Sequence, residues 1–177
     1  MDEALQLFAK MKEEGPEPDI VTGTSVISAL GNRWQDALSY FGNLQQCALG
    51  STNIFVRNSA MSACEKAAQW RHALIILVGG MADVVSLNAA LSACEKSVCW
   101  PRALALLASA HAGYGPAPNI ISHNAAISAC EKGHKSALAW QVFDELRAGK
   151  LEASLISYNS VISTFENCRE WEHALQL

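Results

Sequence analysis

Apolar residues recur three or four positions apart along most of the chain, which is the spacing of one face of an α-helix. Two such stripes follow each other closely: Ala60, Met61 and Cys64 mark the first, and Ala73 and Leu77 mark the second. The pair of stripes returns further along the chain and predicts a series of helical hairpins. The first helices are predicted to start after polar residues that can serve as N-caps, namely Thr22, Ser86, Ser122 and Ser157. The second helices are predicted to start near Trp34, Trp70, Trp100 and Trp171.

The sequence Ser-Ala-Cys-Glu-Lys occurs three times, at residues 62–66, 92–96 and 128–132. These copies lie 30 and 36 residues apart, and weaker copies flank them. Self-similarity with such a period is typical of stacked repeat architectures. The chain therefore divides into a half repeat 1–19, repeats 20–53, 54–83, 84–119 and 120–154, and a truncated repeat 155–177. Because the first and last pieces are incomplete repeats, we expect a longer parent protein.

Two repeats deviate from the common length. In repeat 54–83 the second helix is expected to end early, at Gly79–Met81, and repeat 20–53 lacks two residues between its helices, at Gly31–Arg33. We expect local distortion at both places. One hairpin cannot bury its own apolar stripe, so neighbouring hairpins must stack into a continuous core. The predicted fold is all-α, an α-solenoid of helix-turn-helix repeats.

Composition excludes several classes of protein. Half of the 177 residues are hydrophobic and 17% are charged, whereas disordered chains are poor in apolar residues and rich in charge. No apolar run approaches the roughly 18 residues that span a bilayer. The six cysteines are too few for a disulfide scaffold of this size, so we expect them to be reduced and buried. The net charge of −4 argues weakly against nucleic acid, whose binders usually carry a basic face.

Three features of the sequence resemble the pentatricopeptide repeat (PPR) family. They are Ile-Ser-Tyr-Asn at residues 156–159, the Gly-x-x-Pro-Asp and Gly-x-x-Pro-Asn endings at 15–19 and 115–119, and the Glu-Ala-Leu-Gln-Leu-Phe second helix at 3–8. The tetratricopeptide repeat has a similar period, but its Trp and Leu-Gly pattern is not found here. The resemblance covers essentially the whole chain. It implies a right-handed α-solenoid whose first helices line a groove that binds single-stranded RNA, one base per repeat.

In the PPR family two side chains of each repeat select the base, and an aliphatic side chain packs against its flat face. The resemblance implies the following selectors: Thr24 with Asn53, Asn58 with Asp83, Asn88 with Asn119, Asn124 with Ser154, and Asn159 without its partner. It implies the following base clamps: Val21, Phe55, Val85, Ile121 and Ile156. The family's preferences imply adenine for the first pair, uracil for the second, and cytosine, or more broadly a pyrimidine, for the third and fourth. The implied target is 5′-A-U-Y-Y-3′, where Y is a pyrimidine.

Lys66, Lys96 and Lys132 occupy one equivalent position late in the first helices. Stacked repeats would align them close to the RNA phosphates, which provide the sequence-independent part of binding. A glutamate precedes each lysine, so an acidic row lies beside the basic one. We therefore expect a weak field and weak RNA binding. The alternative is that the lysines form only a solvated face.

The recurring asparagines have a second interpretation, because their amides could hydrogen-bond a neighbouring helix terminus. A second class of function is a scaffold that holds a peptide in the concave groove of the solenoid, and the acidic net charge favours it. A third class is an enzyme that uses the solenoid as a recognition arm, which would need a domain outside this sequence. No Cys-x-x-Cys, His-Glu-x-x-His or phosphate-loop motif occurs. We therefore expect no catalysis, cofactor, metal ion or small-molecule substrate in this chain, and no membrane contact.

The resemblance also bears on the cellular setting. PPR proteins usually act on transcripts of mitochondria or chloroplasts, in RNA processing, editing or stability. The first residues of this chain do not resemble a secretory signal or an Arg-rich transit peptide. The organellar location is therefore implied by the family alone.

Overall fold

The computed structural model describes residues 20–31, 33–46, 53–149 and 151–170, together with Lys10 and Gly15. Every regular element in these ranges is an α-helix, which confirms the predicted all-α class. The helices are α1 (Ile20–Leu30), α2 (Trp34–Gln46), α3 (Ile54–Lys66), α4 (Trp70–Val78), α5 (Val84–Lys96), α6 (Trp100–His111), α7 (Ile120–Lys132), α8 (Ser136–Ala148) and α9 (Leu155–Cys168). Three second helices begin at the tryptophans that predicted them, and Trp171 lies outside the described residues.

The helices form two compact units, Met1–Met81 and Ala82–Leu177. In the first unit, α3 packs against α1, α2 and α4. In the second unit, α7 packs against the first helices on either side of it, α5 and α9, and against the second helices α6 and α8. Each unit is therefore a stack of helical hairpins joined through their first helices. The repeat boundaries themselves stay a prediction.

The first helices begin three residues earlier than the sequence pattern predicted. The helix N-caps are the residues that end the preceding repeat: Asn53, Asp83, Asn119 and Ser154. The prediction that Ser86, Ser122 and Ser157 are N-caps was wrong. They are the third residues of their helices, and their hydroxyls accept the cap's backbone N–H in a capping box. Thr22 likewise lies inside α1, which begins at Ile20.

Small side chains at equivalent positions form the core between stacked helices. The first helices α3, α5 and α7 each bury an alanine and a cysteine completely at these positions: Ala60, Ala90, Ala126, Cys64, Cys94 and Cys130. Burial raises the pKa of the thiols, to about 11 for Cys64 and Cys130 and to about 12 for Cys94. The thiols therefore stay protonated at neutral pH and act as small apolar groups. Cys99 and Cys168 are free thiols in half-buried positions, and Cys47 lies outside the described residues.

The turns inside the hairpins share a residue in the left-handed conformation. The φ angles of Ala68, Val98 and His134 are 54°, 55° and 53°. The following N–H then bonds back to the helix end, as in the 2.9 Å contact from Cys99 N to Cys94 O. A β-branched side chain is strained in this conformation, so Val98 carries a steric cost.

Replacing Val98 by glycine is expected to raise the free energy of unfolding by about 1 kcal/mol. Glycine adopts the positive φ without the clash of a Cβ atom, which costs an L-residue ~1–2 kcal/mol. Urea denaturation followed by circular dichroism measures the change. Ala68→Gly is the matched variant and should gain less, because alanine is not β-branched. A lower stability of Val98→Gly would contradict the strain.

The helix α4 ends early, as the sequence predicted, and a buried arginine completes its end. It has 9 residues, against 12 in α6 and 13 in α8. The Arg57 side chain donates from Nη1 to the carbonyl of Ile76 at 2.7 Å and from Nη2 to the carbonyl of Gly79 at 3.5 Å. A Cβ atom on Gly80 would overlap the guanidinium, so the glycine is needed for this contact. The other repeat of deviating length, 20–53, has a shorter first helix, because α1 has 11 residues and α3 has 13.

Candidate nucleic-acid interface

The predicted base clamps lie at one exposed position, the second residue of each first helix. Their exposed fractions range from 54% to 70%: Val21, Phe55, Val85, Ile121 and Ile156. The predicted first selector follows each clamp three residues later, on the same face of the helix. Core packing does not explain an apolar residue that recurs at an exposed site. Clamp and selector therefore share one surface of each first helix.

Two of the predicted selector pairs are in direct contact. The Asn88 side chain donates from Nδ2 to Oδ1 of Asn119 at 3.3 Å. The Asn124 side chain donates from Nδ2 to Oγ of Ser154 at 3.4 Å. Each contact joins the first helix of one repeat to the N-cap of the next. The second interpretation of the asparagines, bonding to a neighbouring helix terminus, therefore describes the contacts of Asn88 and Asn124.

The carbonyl ends of the same two amides are also engaged by the next repeat. Oδ1 of Asn88 accepts the hydroxyl of Ser122 at 2.5 Å. Oδ1 of Asn124 accepts the hydroxyl of Ser157 at 2.7 Å. These serines are the third residues of α7 and α9 and are completely buried. Each asparagine is therefore held at both ends of its amide.

The second selector of each pair also caps a helix. Oδ1 of Asn119 accepts from the backbone N–H groups of Ile121 at 3.0 Å and Ser122 at 3.1 Å, besides the Asn88 amide. Three donors thus converge on this oxygen, and the Asn119 Nδ2 group is turned away from the helix end. Oδ1 of Asp83 accepts from the backbone N–H of Ser86 at 2.8 Å. Capping fixes the orientation of these side chains.

The remaining predicted selectors are placed as follows. Thr24 donates its hydroxyl to the carbonyl four residues earlier in α1, at 2.8 Å. Asn53 caps α3 by accepting the backbone N–H two residues later, at 2.8 Å. Asn58 is half-buried in α3, and its predicted partner Asp83 belongs to the other unit. Asn159 is exposed in α9.

The predicted lysine row is exposed, and one member is paired with the acidic row. Lys66, Lys96 and Lys132 are all exposed at the ends of their helices. The Lys132 Nζ atom lies 2.9 Å from Oε1 of Glu95, one repeat earlier. This ion pair partly neutralises a charge that was predicted to face phosphate. It agrees with the expectation of a weak field.

A pair of histidines, which the sequence analysis did not single out, lines a cavity of about 450 Å³ in the second unit. The Nε2 atoms of His111 and His123 are 3.1 Å apart. His123 is 1% exposed, and its Nδ1 lies 2.8 Å from the carbonyl oxygen of Asn119. Its Nδ1 must carry the proton, because a carbonyl only accepts. In the neutral ring, the Nε2 atom of His123 therefore accepts a hydrogen bond from the Nε2–H group of His111.

This geometry opposes a second proton on His123. Burial lowers the pKa of His123, and the adjacent His111 lowers it further, against raising effects from the Asn119 carbonyl and from Glu145. Because the unfolded chain takes up this proton first, the free energy of unfolding should fall as pH drops below about 6.5. Denaturation at pH 7.5 and 5.5 measures the loss. The His123→Leu variant copies Leu87 of the preceding repeat and should lose less stability between these two pH values. The His134→Asn variant changes an exposed histidine and should lose as much stability as the unmodified protein. An equal loss in His123→Leu would exclude His123 as its source.

Metal and membrane sites are not found in the ranges that the structure describes. No three His, Cys, Asp or Glu side chains there are arranged to hold a metal ion. No helix there combines the length and apolar character needed to cross a bilayer. The expected absence of catalysis stays a prediction.

Comparisons with known proteins match both the repeats and the fold. A sequence family described as pentatricopeptide repeat domain matches residues 114–167, and one described as PPR repeat matches residues 1–16. The chain resembles the pentatricopeptide repeat protein PPR10 in complex with an 18-nt psaJ RNA element, with a TM-score of 0.77 and 21% identity. In its matched repeats and in its fold, the chain is similar to the pentatricopeptide repeat family. The match covers 96% of this chain and 26% of the PPR10 chain.

Other PPR structures are similar as well. PPR10 from maize matches with a TM-score of 0.72 and 21% identity, over 99% of this chain and 26% of that one. The PPR domain of Arabidopsis thaliana protein-only RNase P 1, in complex with tRNA, matches with a TM-score of 0.67 and 9% identity, over 86% and 82% of the two chains. No protein with a curated description matches this chain. The chain is therefore an all-α helical repeat solenoid, and it spans about a quarter of the length of PPR10.

Proposed function

We propose that this chain is a sequence-selective single-stranded RNA-binding module of the PPR type. The observation that carries the proposal is the repeated surface of the first helices, where an exposed apolar residue stands one turn before a polar amide. An apolar side chain can pack on the face of a base, and an amide offers both a donor and an acceptor to its edge. Two similar PPR structures are complexes with RNA, which supports the proposal.

Capping explains how the second selector could discriminate between pyrimidines. Asn119 commits its oxygen to the start of α7, so the group it can offer a base is the Nδ2 donor. Asp83 is an acceptor at both carboxylate oxygens. Cytosine presents an acceptor at N3, and uracil presents a donor there. The chemistry favours cytosine beside Asn119 and uracil beside Asp83, as the family preferences imply.

The other proposed selectors are Thr24, Asn53, Asn58, Asn88, Asn124, Ser154 and Asn159. The proposed phosphate contacts are Lys66, Lys96 and Lys132. The exposed ammonium groups would add sequence-independent affinity that falls as salt rises. The Lys132–Glu95 pair and the net charge of −4 limit this contribution. Lys96→Glu should therefore weaken binding equally for every base, and the effect should diminish at high salt. No salt-dependent change would count against the phosphate contact.

The test uses a longer single strand containing 5′-A-U-C-C-3′ and a scramble in which purines replace these bases. Fluorescence anisotropy at low salt should give tighter binding to the first strand. The same array could instead hold a peptide in the groove of the solenoid. Equal binding of both strands would remove the RNA proposal and leave that alternative.

Asn119→Asp is the sharpest single variant, because Asp caps a helix as well as Asn does. The change keeps α7 intact and replaces the presented donor by an acceptor. The preference at the third base should move from cytosine to uracil by about tenfold, the size of a good edge contact. The fourth base, read by Asn124, serves as the internal control.

Asn58→Thr should likewise move the preference at the second base from uracil to guanine, under the family's preferences. An unchanged preference would exclude Asn58 as a selector.

The cellular role is proposed from the resemblance to the PPR family alone. PPR arrays usually bind transcripts of mitochondria or chloroplasts, so we place the target there, in RNA processing, editing or stability. Four complete repeats specify about four bases, which is too few to identify one transcript. Crosslinking of the tagged parent protein, followed by sequencing of the bound RNA, measures whether organellar transcripts are enriched.

A further inference from the structure

We propose that Ser122 and Ser157 are positioning residues for base selection, because their hydroxyls fix the amide orientation of Asn88 and Asn124 in the preceding repeat. The inference rests on the proposed RNA-binding function. To each of the two proposed selector pairs, Asn88 with Asn119 and Asn124 with Ser154, it adds a third residue that is buried and does not face the base. A repeat would then depend on the following helix for its selectivity as well as for its packing.

An asparagine amide needs such a restraint, because rotating it by 180° exchanges its donor and its acceptor. In this protein the carbonyl of Asn88 lies 2.5 Å from the Ser122 hydroxyl, and that of Asn124 lies 2.7 Å from the Ser157 hydroxyl. The paired residues are 34 and 33 positions apart, so the same contact recurs in consecutive repeats. A recurring contact between a buried hydroxyl and a half-buried amide is a property of these repeats.

The capping box determines the direction of these hydroxyl groups. The Ser122 oxygen accepts the backbone N–H of Asn119 at 3.1 Å, and the Ser157 oxygen accepts that of Ser154 at 3.1 Å. A hydroxyl has one proton to donate, and its shortest acceptor outside its own helix start is the amide carbonyl of the preceding repeat. The backbone of one repeat thus orients the serine, and the serine orients the selector.

The two sites differ at the other end of the amide. The Asn88 Nδ2 group faces Oδ1 of Asn119, which can only accept, so a rotated amide would place two oxygens together. The Asn124 Nδ2 group faces the Ser154 hydroxyl, which can accept or donate and so tolerates both orientations. The orientation of Asn124 therefore depends more on its serine than that of Asn88 does.

The test compares Ser122→Ala with Ser157→Ala on RNA strands that carry each of the four bases at the third or the fourth position. A lost hydrogen bond of about 1 kcal/mol corresponds to a roughly fivefold change. Ser122→Ala should lower the preference at the third base by about threefold and leave the fourth unchanged. Ser157→Ala should lower the preference at the fourth base by fivefold or more and leave the third unchanged. Threonine at either site keeps the hydroxyl and should restore the preference.

Ser86→Ala is the matched control, because it removes the same capping-box hydroxyl from α5. It should lower stability to a similar extent and leave the preferences at the third and fourth bases unchanged. If both test variants lose affinity equally for all four bases, the serines are structural, and the positioning role is wrong while RNA binding stands. If the unmodified array shows no base preference, the proposed function itself fails.

Discussion

Replacing Phe143 by alanine is expected to lower the free energy of unfolding by about 3–5 kcal/mol, the cost of removing a large buried ring. The Phe143 side chain in α8 is completely buried. Its ring centre lies 5.0 Å from that of Tyr158 in α9, at an interplanar angle of 71°, and 5.9 Å from that of Trp140. The ring therefore joins a second helix to the first helix of the next repeat. Chemical denaturation followed by circular dichroism measures the loss.

Phe55→Ala removes the same atoms from an exposed position and is the control. The Phe55 side chain is 68% exposed, so stability should change by less than about 0.5 kcal/mol. If Phe55 stacks on a base, the same variant should weaken RNA binding by about 1–3 kcal/mol. A large loss of stability in Phe55→Ala, or a small loss in Phe143→Ala, would contradict the assigned packing.

Arg57→Ala is expected to cost about 2–4 kcal/mol of stability. The guanidinium is 6% exposed and donates to the carbonyls of Ile76 and Gly79, where α4 ends early. Its charge is favourable there, because the carboxyl end of a helix carries a partial negative charge. The variant would leave the buried Ile76 carbonyl without its donor and open a cavity. Thermal and chemical denaturation measures the loss of stability. Hydrogen exchange of the amides in α3 and α4 locates it in the first unit.

Arg71→Ala is the matched control for the loss of an arginine. Arg71 lies on the exposed side of α4, where its guanidinium carbon stands 5.0 Å from the centre of the Trp70 ring. An exposed cation–π contact contributes about 0.5–1 kcal/mol, so this variant should lose much less stability. Equal losses would show that the contacts of Arg57 with the end of α4 are not the source of its effect.

The fold could be predicted because three near-identical copies of one five-residue sequence define the period. The first residues of the helices could not be predicted, because the chain places Asp, Asn or Ser at the N-cap and a second capping residue three positions later. The common capping box carries Glu or Gln at that later position. A serine there looks like an N-cap in a sequence, and only the observed hydrogen bonds distinguish the two roles.

The sequence predicts which residues form the candidate interface, and that assignment stays a prediction; the contacts of these residues come from the structure. Sequence spacing cannot show that Asn88 and Asn124 reach the next repeat through both ends of their amides. It also cannot show that Lys132 is paired with Glu95, since the two are 37 residues apart. Arg57 and His123 occupy one equivalent buried position, filled by Leu87 in the repeat between them. A polar side chain at a buried position contradicts the usual hydrophobic pattern, so the sequence alone did not single out either residue.

The residues that end the repeats have a consequence for how such arrays can diversify. Asn53, Asp83, Asn119 and Ser154 each start a helix and are each proposed to contact a base. Asn, Asp and Ser are the best N-capping residues, and most others weaken the helix by about 1 kcal/mol. The amino acids that suit an N-cap are therefore also the ones available for the proposed base contact. The requirement for an N-cap limits which bases these residues could select.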